Sequence, residues 1–460
     1  MRFGTDGVRG LANGELTAEL VLALGRAAAR VLGGPTFLIG RDTRISGPLL
    51  QAALAAGIAS EGVDVCDLGV LPTPGVAALA AAGHIPAAMI SASHNAYFDN
   101  GIKLFAAGGR KLSDAVEARL EQELGEILAG AAGSRPGGGP AAAGTDRRAP
   151  TGSAVGWLAP DAEGRERYQQ RLLESLEGRR LDGVRVAIDC ANGAAAVTAP
   201  VVLRRSGAEV VAVLGDQPNG VNINQGCGSM APAALQAAVI DTGAHVGLAF
   251  DGDADRVIAV DHTGALVDGD QLMAALALDL RSRGKLTGDT VVVTVMTNLG
   301  FRLAMQDHGV KVMETQVGDR YVLEALDEGS WSLGGEQSGH IIFRDLATTG
   351  DGVLSGLQLL DVVARRSQSL AQLTAEAMVR LPQVLRNVPV ANPGGLAGAE
   401  QVWAEVQAVE AGFGDRGRVL LRPSGTEPLV RVMVEAPTLA EAEEAAGRLV
   451  DAVVAAIGFG

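Results

Sequence analysis

The chain reads as an α/β protein of three similar α/β domains followed by a smaller C-terminal α+β domain, and three observations lead there. Its 460 residues exceed what one core serves, since domains run about 100–200 residues. One pattern occurs three times: a β-rich run, a helical stretch, a second strand led by glycine, and an apolar run ending in a polar motif. The last stretch breaks the pattern, with two strands around a turn and then an Ala/Glu-rich helix.

In the first copy, residues 37–39 form the leading strand, residues 62–65 the glycine-led one, and residues 87–90 the run that delivers SASHN at Ser91 to Asn95. In the second, residues 184–188 and 207–210 precede the apolar 246–250, which delivers DGDADR at Asp251 to Arg256. In the third, residues 290–295 and 309–312 precede 331–333, which delivers GGEQSGH at Gly334 to His340. Each motif then sits at a strand's carboxyl end, the side on which open α/β sheets form ligand crevices. The terminal region predicts strands at 419–421 and 430–435, the turn RPSGTEP between them, and an amphipathic helix from Leu439. Domains are expected at 1–158, 159–257, 258–372 and 373–460, with a flexible Gly, Ala and Pro rich insertion at 130–152.

Lys plus Arg number 38 against 53 Asp plus Glu, a balance of −15 that argues against a sequence-independent nucleic-acid binder. A local arginine cluster can still hold a small anion. Cys66, Cys190 and Cys227 are widely spaced and lack zinc spacing, which predicts a reducing cytoplasm. MRFGTDGVRG at the amino terminus has no apolar h-region, and Pro72, Pro74, Gly75, Gly83 and Pro86 interrupt the uncharged stretch from Gly69 to Ser93, so neither an export signal nor a membrane span is expected.

A lone serine such as Ser93 is more often a surface or capping residue than a nucleophile, so its neighbours must decide. His94 follows directly, and in an extended segment it points the other way; it is read as shaping the loop rather than as a base. Asp251, Asp253 and Asp255 alternate in a short loop, and three carboxylates so close repel unless a cation neutralises them. An EF-hand is excluded, because Arg256 stands where that loop needs Gly and His262 where it needs Glu. Three monodentate carboxylates leave coordination places for a phosphate oxygen, which suits Mg²⁺. RPSGTEP, with Arg431 beyond it, is either an ordinary turn or a phosphate nest. Glu336 and Ser338 suit sugar hydroxyls, and His340 suits proton transfer or phosphate contact. Arg9, Arg41 and Arg44 become ligands only if they converge, and Lys103 is either an exposed amine or a positioned one.

With these motifs in this order, the chain resembles the α-D-phosphohexomutase superfamily over essentially its whole length. FGTDGVRG, SASHN followed by DNGIKLF, and GGEQSGH are similar to the versions in the branch that acts on glucosamine phosphates. The resemblance implies mixed sheets around a central cleft and an isomerase that interconverts hexosamine 6- and 1-phosphates, feeding cell-wall precursor synthesis. It implies phosphoserine at Ser93, Mg²⁺ held by Asp251, Asp253, Asp255 and the Ser93 phosphate, and a sugar 1,6-bisphosphate as intermediate and activator. By the same resemblance Glu336 and Ser338 contact the sugar, while Arg422, Ser424, Gly425, Thr426 and Arg431 grip the phosphate not being transferred. Arg9, Lys103 and His340 match positions for phosphate contact or proton transfer. A hinge is expected near 365–385. The partner implied is a small hexosamine phosphate, with no nucleic acid and no membrane, and a homodimer is left open. Glucose or mannose phosphate remain alternative substrates, and a sugar-phosphate sensor without turnover is the alternative of another class. Two departures stand out. Ala96 follows SASHN where the family usually has Pro, which removes a φ restraint, and the 130–152 insertion is longer than the family fold needs.

Overall fold

A computed structural model describes residues 7–133, 149–424 and 427–458. The first sheet holds β1 (Val8–Leu11), β2 (Thr36–Arg41), β3 (Asp64–Val70), β4 (Ala87–Ile90), β5 (Asp99–Ala106), β6 (Arg110–Lys111) and β7 (Leu158–Pro160). Their order is β1-β5-β4-β2-β3-β7, with β6 on β5. The second sheet holds β8 (Arg185–Asp189), β9 (Glu209–Leu214), β10 (Val246–Phe250), β11 (Val257–Asp261) and β12 (Leu266–Val267), in the order β12-β11-β10-β8-β9. The third holds β13 (Thr290–Thr294), β14 (Lys311–Thr315), β15 (Leu333–Gly335) and β16 (Ile341–Phe343), in the order β14-β13-β15-β16.

The repeat read from the sequence is a repeat of topology. Each sheet contains the series β3-β2-β4-β5, β9-β8-β10-β11 or β14-β13-β15-β16. The motif-bearing strand runs parallel to the leading one, as in β4 on β2, β10 on β8 and β15 on β13. The strand after the motif returns antiparallel, so the sheets are mixed. AAMI of β4 and VGLAF of β10 are buried at every residue, as strands covered on both faces must be.

The glycine-led strands start two residues later than predicted, at Asp64, Glu209 and Lys311. The cause is common to all three copies. Gly62, Gly207 and Gly309 take φ of 85°, 99° and 66°, so each glycine turns the chain out of the preceding helix rather than opening the strand. The boundary expected at 257/258 falls inside the β10–β11 hairpin, whose register runs from Val246↔Asp261 to Phe250↔Val257. DGDADR is a hairpin loop within one sheet, and the second sheet continues to Val267. The helix Asp114–Gly133 covers the first residues of the expected insertion; residues 134–148 lie outside the described residues.

The chain divides into two compact units, residues 1–295 with 313–376, and residues 296–312 with 377–460. The first carries the three sheets apart from the first two residues of β14. The second is built on β17 (Gln383–Pro389), β18 (Arg418–Pro423) and β19 (Leu429–Glu435), ordered β17-β19-β18, with the helices Glu400–Phe413 and Leu439–Ile457. A capping box of Thr438 and Glu441 starts the last helix at the predicted residue. The helix Leu299–Asp307 follows β13 in sequence yet belongs to the second unit. Its cap Asn298 accepts from Gly300 N at 3.0 Å and Leu381 N at 2.9 Å, and buried Glu435 accepts from Leu299 N at 2.8 Å.

Candidate active site

Three residues past the end of β4, Ser93 takes φ 52°, a left-handed conformation that costs a residue with a Cβ on the order of 1 kcal/mol. Its loop is held from outside. Fully buried Arg44 donates to the carbonyl oxygens of Ser93 (3.2 Å), Asn95 (2.6 Å) and Asp99 (2.9 Å). Asn224 Nδ2 donates to the same Ser93 and Asn95 oxygens at 2.9 and 3.0 Å. Ser91 Oγ accepts from Ser93 N at 2.9 Å and donates at 2.6 Å to Asp42, the ion-pair partner of Arg44. These bonds supply the restraint that Ala96, in place of Pro, does not.

The left-handed turn corrects one expectation. Opposed side chains require an extended segment, whereas here Ser93 Oγ and His94 Nδ1 lie 3.3 Å apart. Burial, then Arg256 and Arg9, push the His94 ring below its ordinary pKa.

Ser93 Oγ also donates to Asp251 Oδ2 at 2.6 Å. That carboxylate opens the loop after β10, and the approach is close enough that a Cβ on Gly252 would lie 2.5 Å from Ser93 O. Asp251, Asp253 and Asp255 are all buried, and one ligand oxygen from each lies within 4.8 Å of the others. Both oxygens of Asp251 are bonded, Oδ2 by the serine and Oδ1 by Arg256 N (3.2 Å), whereas the other two carboxylates have one oxygen tied down: Asp253 Oδ2 by Thr73 Oγ1 (2.6 Å) and Lys103 Nζ (2.8 Å), Asp255 Oδ2 by Lys103 Nζ (3.1 Å). Asp253 Oδ1 and Asp255 Oδ1 are buried with no hydrogen-bond donor. An all-carboxylate donor set with two such oxygens fits a hard divalent cation. Among the described residues no second cluster of this kind occurs. Burial and the charges of Asp255 and Asp253 push Asp251 well above the carboxylate range. Burial acts the same way on Asp255, but Lys103 and then His340 outweigh it and hold Asp255 low.

A cavity of about 200 Å³ opens on Ser93 and Asp255 and is lined further by Arg9, Arg256, Asp319, Glu336 and His340. Each of the three repeats contributes. Glu336 Oε1 accepts from Gly318 N at 3.1 Å, which leaves Oε2 toward the exposed Ser338 hydroxyl at 3.4 Å. His340 Nε2 accepts from Gly350 N at 3.0 Å, so the neutral ring carries its proton on Nδ1, 3.8 Å from Asp255. Burial opposes a charge on that ring, yet Asp255, Asp319 and Glu336 outweigh it and raise its pKa.

Of the sequence-predicted residues, Ser93, Arg9, Glu336, His340 and the three aspartates meet here. Lys103 lies beneath the carboxylates and Ser338 outside the lining. Arg41 bonds Gln51 and Arg44 the serine loop, so neither lines the cavity. Sequence reasoning missed Asp319 as a wall residue and used Arg256 only to exclude an EF-hand. The signal for Asp319 was an acidic residue after Gly318 at a helix start.

Behind the cavity, Asp351 caps the helix Gly352–Arg366, accepting from Leu354 N at 2.9 Å and from the Tyr168 hydroxyl at 2.8 Å. Gly352 N in turn donates to Ala254 O of the acidic loop at 3.0 Å. Burial pushes Asp351 up to about 6, against the opposing bonds from Leu354 and Tyr168. The folded state therefore holds this proton more tightly than the unfolded chain, whose value is about 3.9. The resulting stability is complete below that value and lost as pH rises through about 6. Asp351→Asn keeps the cap oxygen and removes the titration. Melting curves should place it above the parent at pH ~8, by up to about 3 kcal/mol, with the gap closing by pH ~4; a gap independent of pH refutes the assignment.

In the second unit Arg422 and Arg431 stand directly opposite each other in the β18–β19 register. Arg422, predicted in a turn, belongs to β18. Facing like charges destabilise a strand pair, and a bound anion offsets that cost. Burial, then Arg431, lowers the Arg422 pKa. Ser424 Oγ accepts from Glu427 N at 3.3 Å, and Gly425 and Thr426 lie outside the described residues.

Family models for Phosphoglucomutase/phosphomannomutase match the chain in series: alpha/beta/alpha domain I over residues 1–129, domain II over 166–264, domain III over 268–381 and the C-terminal domain over 385–452. The chain belongs to the phosphoglucomutase/phosphomannomutase family. It is 55% identical to the phosphoglucosamine mutase of Thermobifida fusca, over 98% of this chain and 97% of that one. It is 52% identical to the phosphoglucosamine mutase of Streptomyces avermitilis, over 99% of each. Its fold is similar to that of a phosphoglucomutase/phosphomannomutase family protein from Burkholderia thailandensis, with a TM-score of 0.80, 24% identity and 98% of each chain covered. No helix among the described residues is long and apolar enough to cross a membrane.

Proposed function

We propose that this chain is a phosphoglucosamine mutase that interconverts glucosamine 6-phosphate and glucosamine 1-phosphate. The observation that carries the reading is the Ser93 hydroxyl, buried 2.6 Å from an acidic triplet and open to a cavity lined by all three repeats. Ser93 carries the phosphoryl group as phosphoserine. A sugar hydroxyl oxygen bonds to phosphorus as the Oγ–P bond breaks; the proton given up by the sugar hydroxyl is the one that Oγ takes up, so that Oγ finishes as a hydroxyl donating to Asp251. The product of this half is a 1,6-bisphosphate. After it turns over, the phosphoryl group that the substrate brought is transferred to Ser93 by the same exchange run in the opposite sense, which regenerates phosphoserine and frees the isomeric monophosphate.

Asp251, Asp253 and Asp255 would hold Mg²⁺, which supplies positive charge to the oxygens of the moving phosphoryl group. Lys103 keeps those carboxylates together in a buried setting. Arg9 and Arg256 are the chain's own cationic groups on the cavity wall, and His340 stands there as a group suited to proton transfer or phosphate contact. Glu336, braced by Gly318, reads sugar hydroxyls, with Ser338 beside it. Arg422 and Arg431, with Ser424, Gly425 and Thr426, form a separate anion grip in the second unit. A cytoplasmic setting suits the unpaired Cys66, Cys190 and Cys227.

The deciding experiment measures kcat/KM for glucosamine, glucose and mannose 6-phosphates side by side on enzyme phosphorylated at Ser93. Glucosamine phosphate is expected to lead by about tenfold or more, a differential of roughly 1.4 kcal/mol. A higher value for glucose or mannose moves the chain to a sister activity, and no turnover with any of them makes it a sensor.

A further inference from the structure

We propose that Thr73 is a positioning residue for the acidic triplet: its hydroxyl decides which oxygen of Asp253 faces the cation. The inference rests on the reading of that triplet as a metal site. Thr73 opens the helix Thr73–Gly83 between β3 and β4, in the first repeat, and is 2% exposed. It reaches across to the loop of the second repeat through two bonds, its N–H to Asp253 O at 2.9 Å and its hydroxyl to Asp253 Oδ2 at 2.6 Å.

The backbone bond fixes where the residue sits, so the side-chain bond is free to orient the carboxylate. Rotation about the terminal torsion of an aspartate exchanges its two oxygens, and one bonded oxygen stops that rotation. With Oδ2 held, Oδ1 is left buried and without a donor. Lys103 cannot fix the carboxylate alone. Its ammonium is divided between Asp253 at 2.8 Å and Asp255 at 3.1 Å, and it ends a flexible stem. The Thr73 hydroxyl, on a β-branched side chain at a helix start between Pro72 and Pro74, has little such freedom. An ionised carboxylate only accepts hydrogen bonds, so a donor of this stiffness at this place is what the orientation requires.

Thr73→Val keeps the shape and the backbone bond and removes the hydroxyl; Thr73→Ser keeps the hydroxyl and removes a methyl group. Mn²⁺ binding to the full chain, read by electron paramagnetic resonance with Ser93 unphosphorylated by intact mass, tests the idea without turnover. Thr73→Val should weaken Mn²⁺ binding by about tenfold or more, as loss of a group behind a metal ligand does, while Thr73→Ser stays within about threefold of the parent. In turnover assays the Mg²⁺ requirement of Thr73→Val should rise while kcat at saturating Mg²⁺ is largely kept. Parent-like Mn²⁺ binding by Thr73→Val overturns the proposal, and so does an equal loss in Thr73→Ser, which would mark a packing role. If Thr73→Val does not fold, Thr73→Ala is read by the same standard. A parent chain that binds no Mn²⁺ removes the metal reading itself and this inference with it, an outcome distinct from parent-like binding by the variant.

Discussion

Ser93→Ala should lower kcat by at least about 10⁴-fold while the melting temperature moves by no more than about 4 °C. The loss is large because no neighbouring hydroxyl can substitute: Ser91 Oγ is already spent on Asp42 and on Ser93 N. The fold survives because alanine inherits the same left-handed backbone and the Arg44 and Asn224 bonds, which fall on carbonyl oxygens rather than on the side chain. What is lost is the bond to Asp251 and the longer contact with His94 Nδ1, a net cost of about 1 kcal/mol. Ser93→Gly makes a useful companion. It is equally inactive but should be more stable than Ser93→Ala by roughly 1 kcal/mol, since glycine carries no penalty at φ 52°. Steady-state rates and melting curves on the three proteins decide the matter, and retained turnover in Ser93→Ala removes the phosphoserine assignment.

Lys103→Met should destabilise the chain by about 3–5 kcal/mol in the presence of a chelator, because it leaves buried carboxylates without their cation. The Lys103 side chain is 4% exposed and bonds Asp253 and Asp255, themselves 0% and 9% exposed, so solvent screening offers little relief. Added Mg²⁺ should recover part of the loss, since a cation bound only by the folded state stabilises in proportion to the logarithm of its concentration. The expected pattern is a gap between parent and variant that narrows as Mg²⁺ rises. A variant as stable as the parent in chelator, or a gap blind to Mg²⁺, contradicts a structural charge balance between lysine and metal.

The three-copy architecture was legible because its signals are local. VGLAF and AAMI are unbroken apolar runs that end abruptly in Asp, Ser and Gly, and the same succession recurs in each copy. What the sequence hid is long-range. The φ of Ser93 follows from Arg44 and Asn224, 49 and 131 residues away, so His94 was assigned to the wrong side of the loop. The hold of Thr73 on Asp253 spans 180 residues. Arg422 looks like a turn residue beside Pro423 and Gly425, yet strand pairing with Arg431 overrides that composition. The allegiance of the helix Leu299–Asp307 was equally invisible, since it depends on Asn298 meeting Leu381 and on Glu435 meeting Leu299.

The repeats share a blueprint but not a job. One copy brings the alcohol, the next the acids, the third the carboxylate proposed to read the sugar, and the cavity they line together is where the proposed chemistry begins. A polypeptide ending with the first copy would offer an oxygen without the carboxylates that face it; one beginning with the second would offer acids with nothing to serve. Duplicated modules that divide labour in this way leave no halfway enzyme, so competence arrives only when the last partner docks.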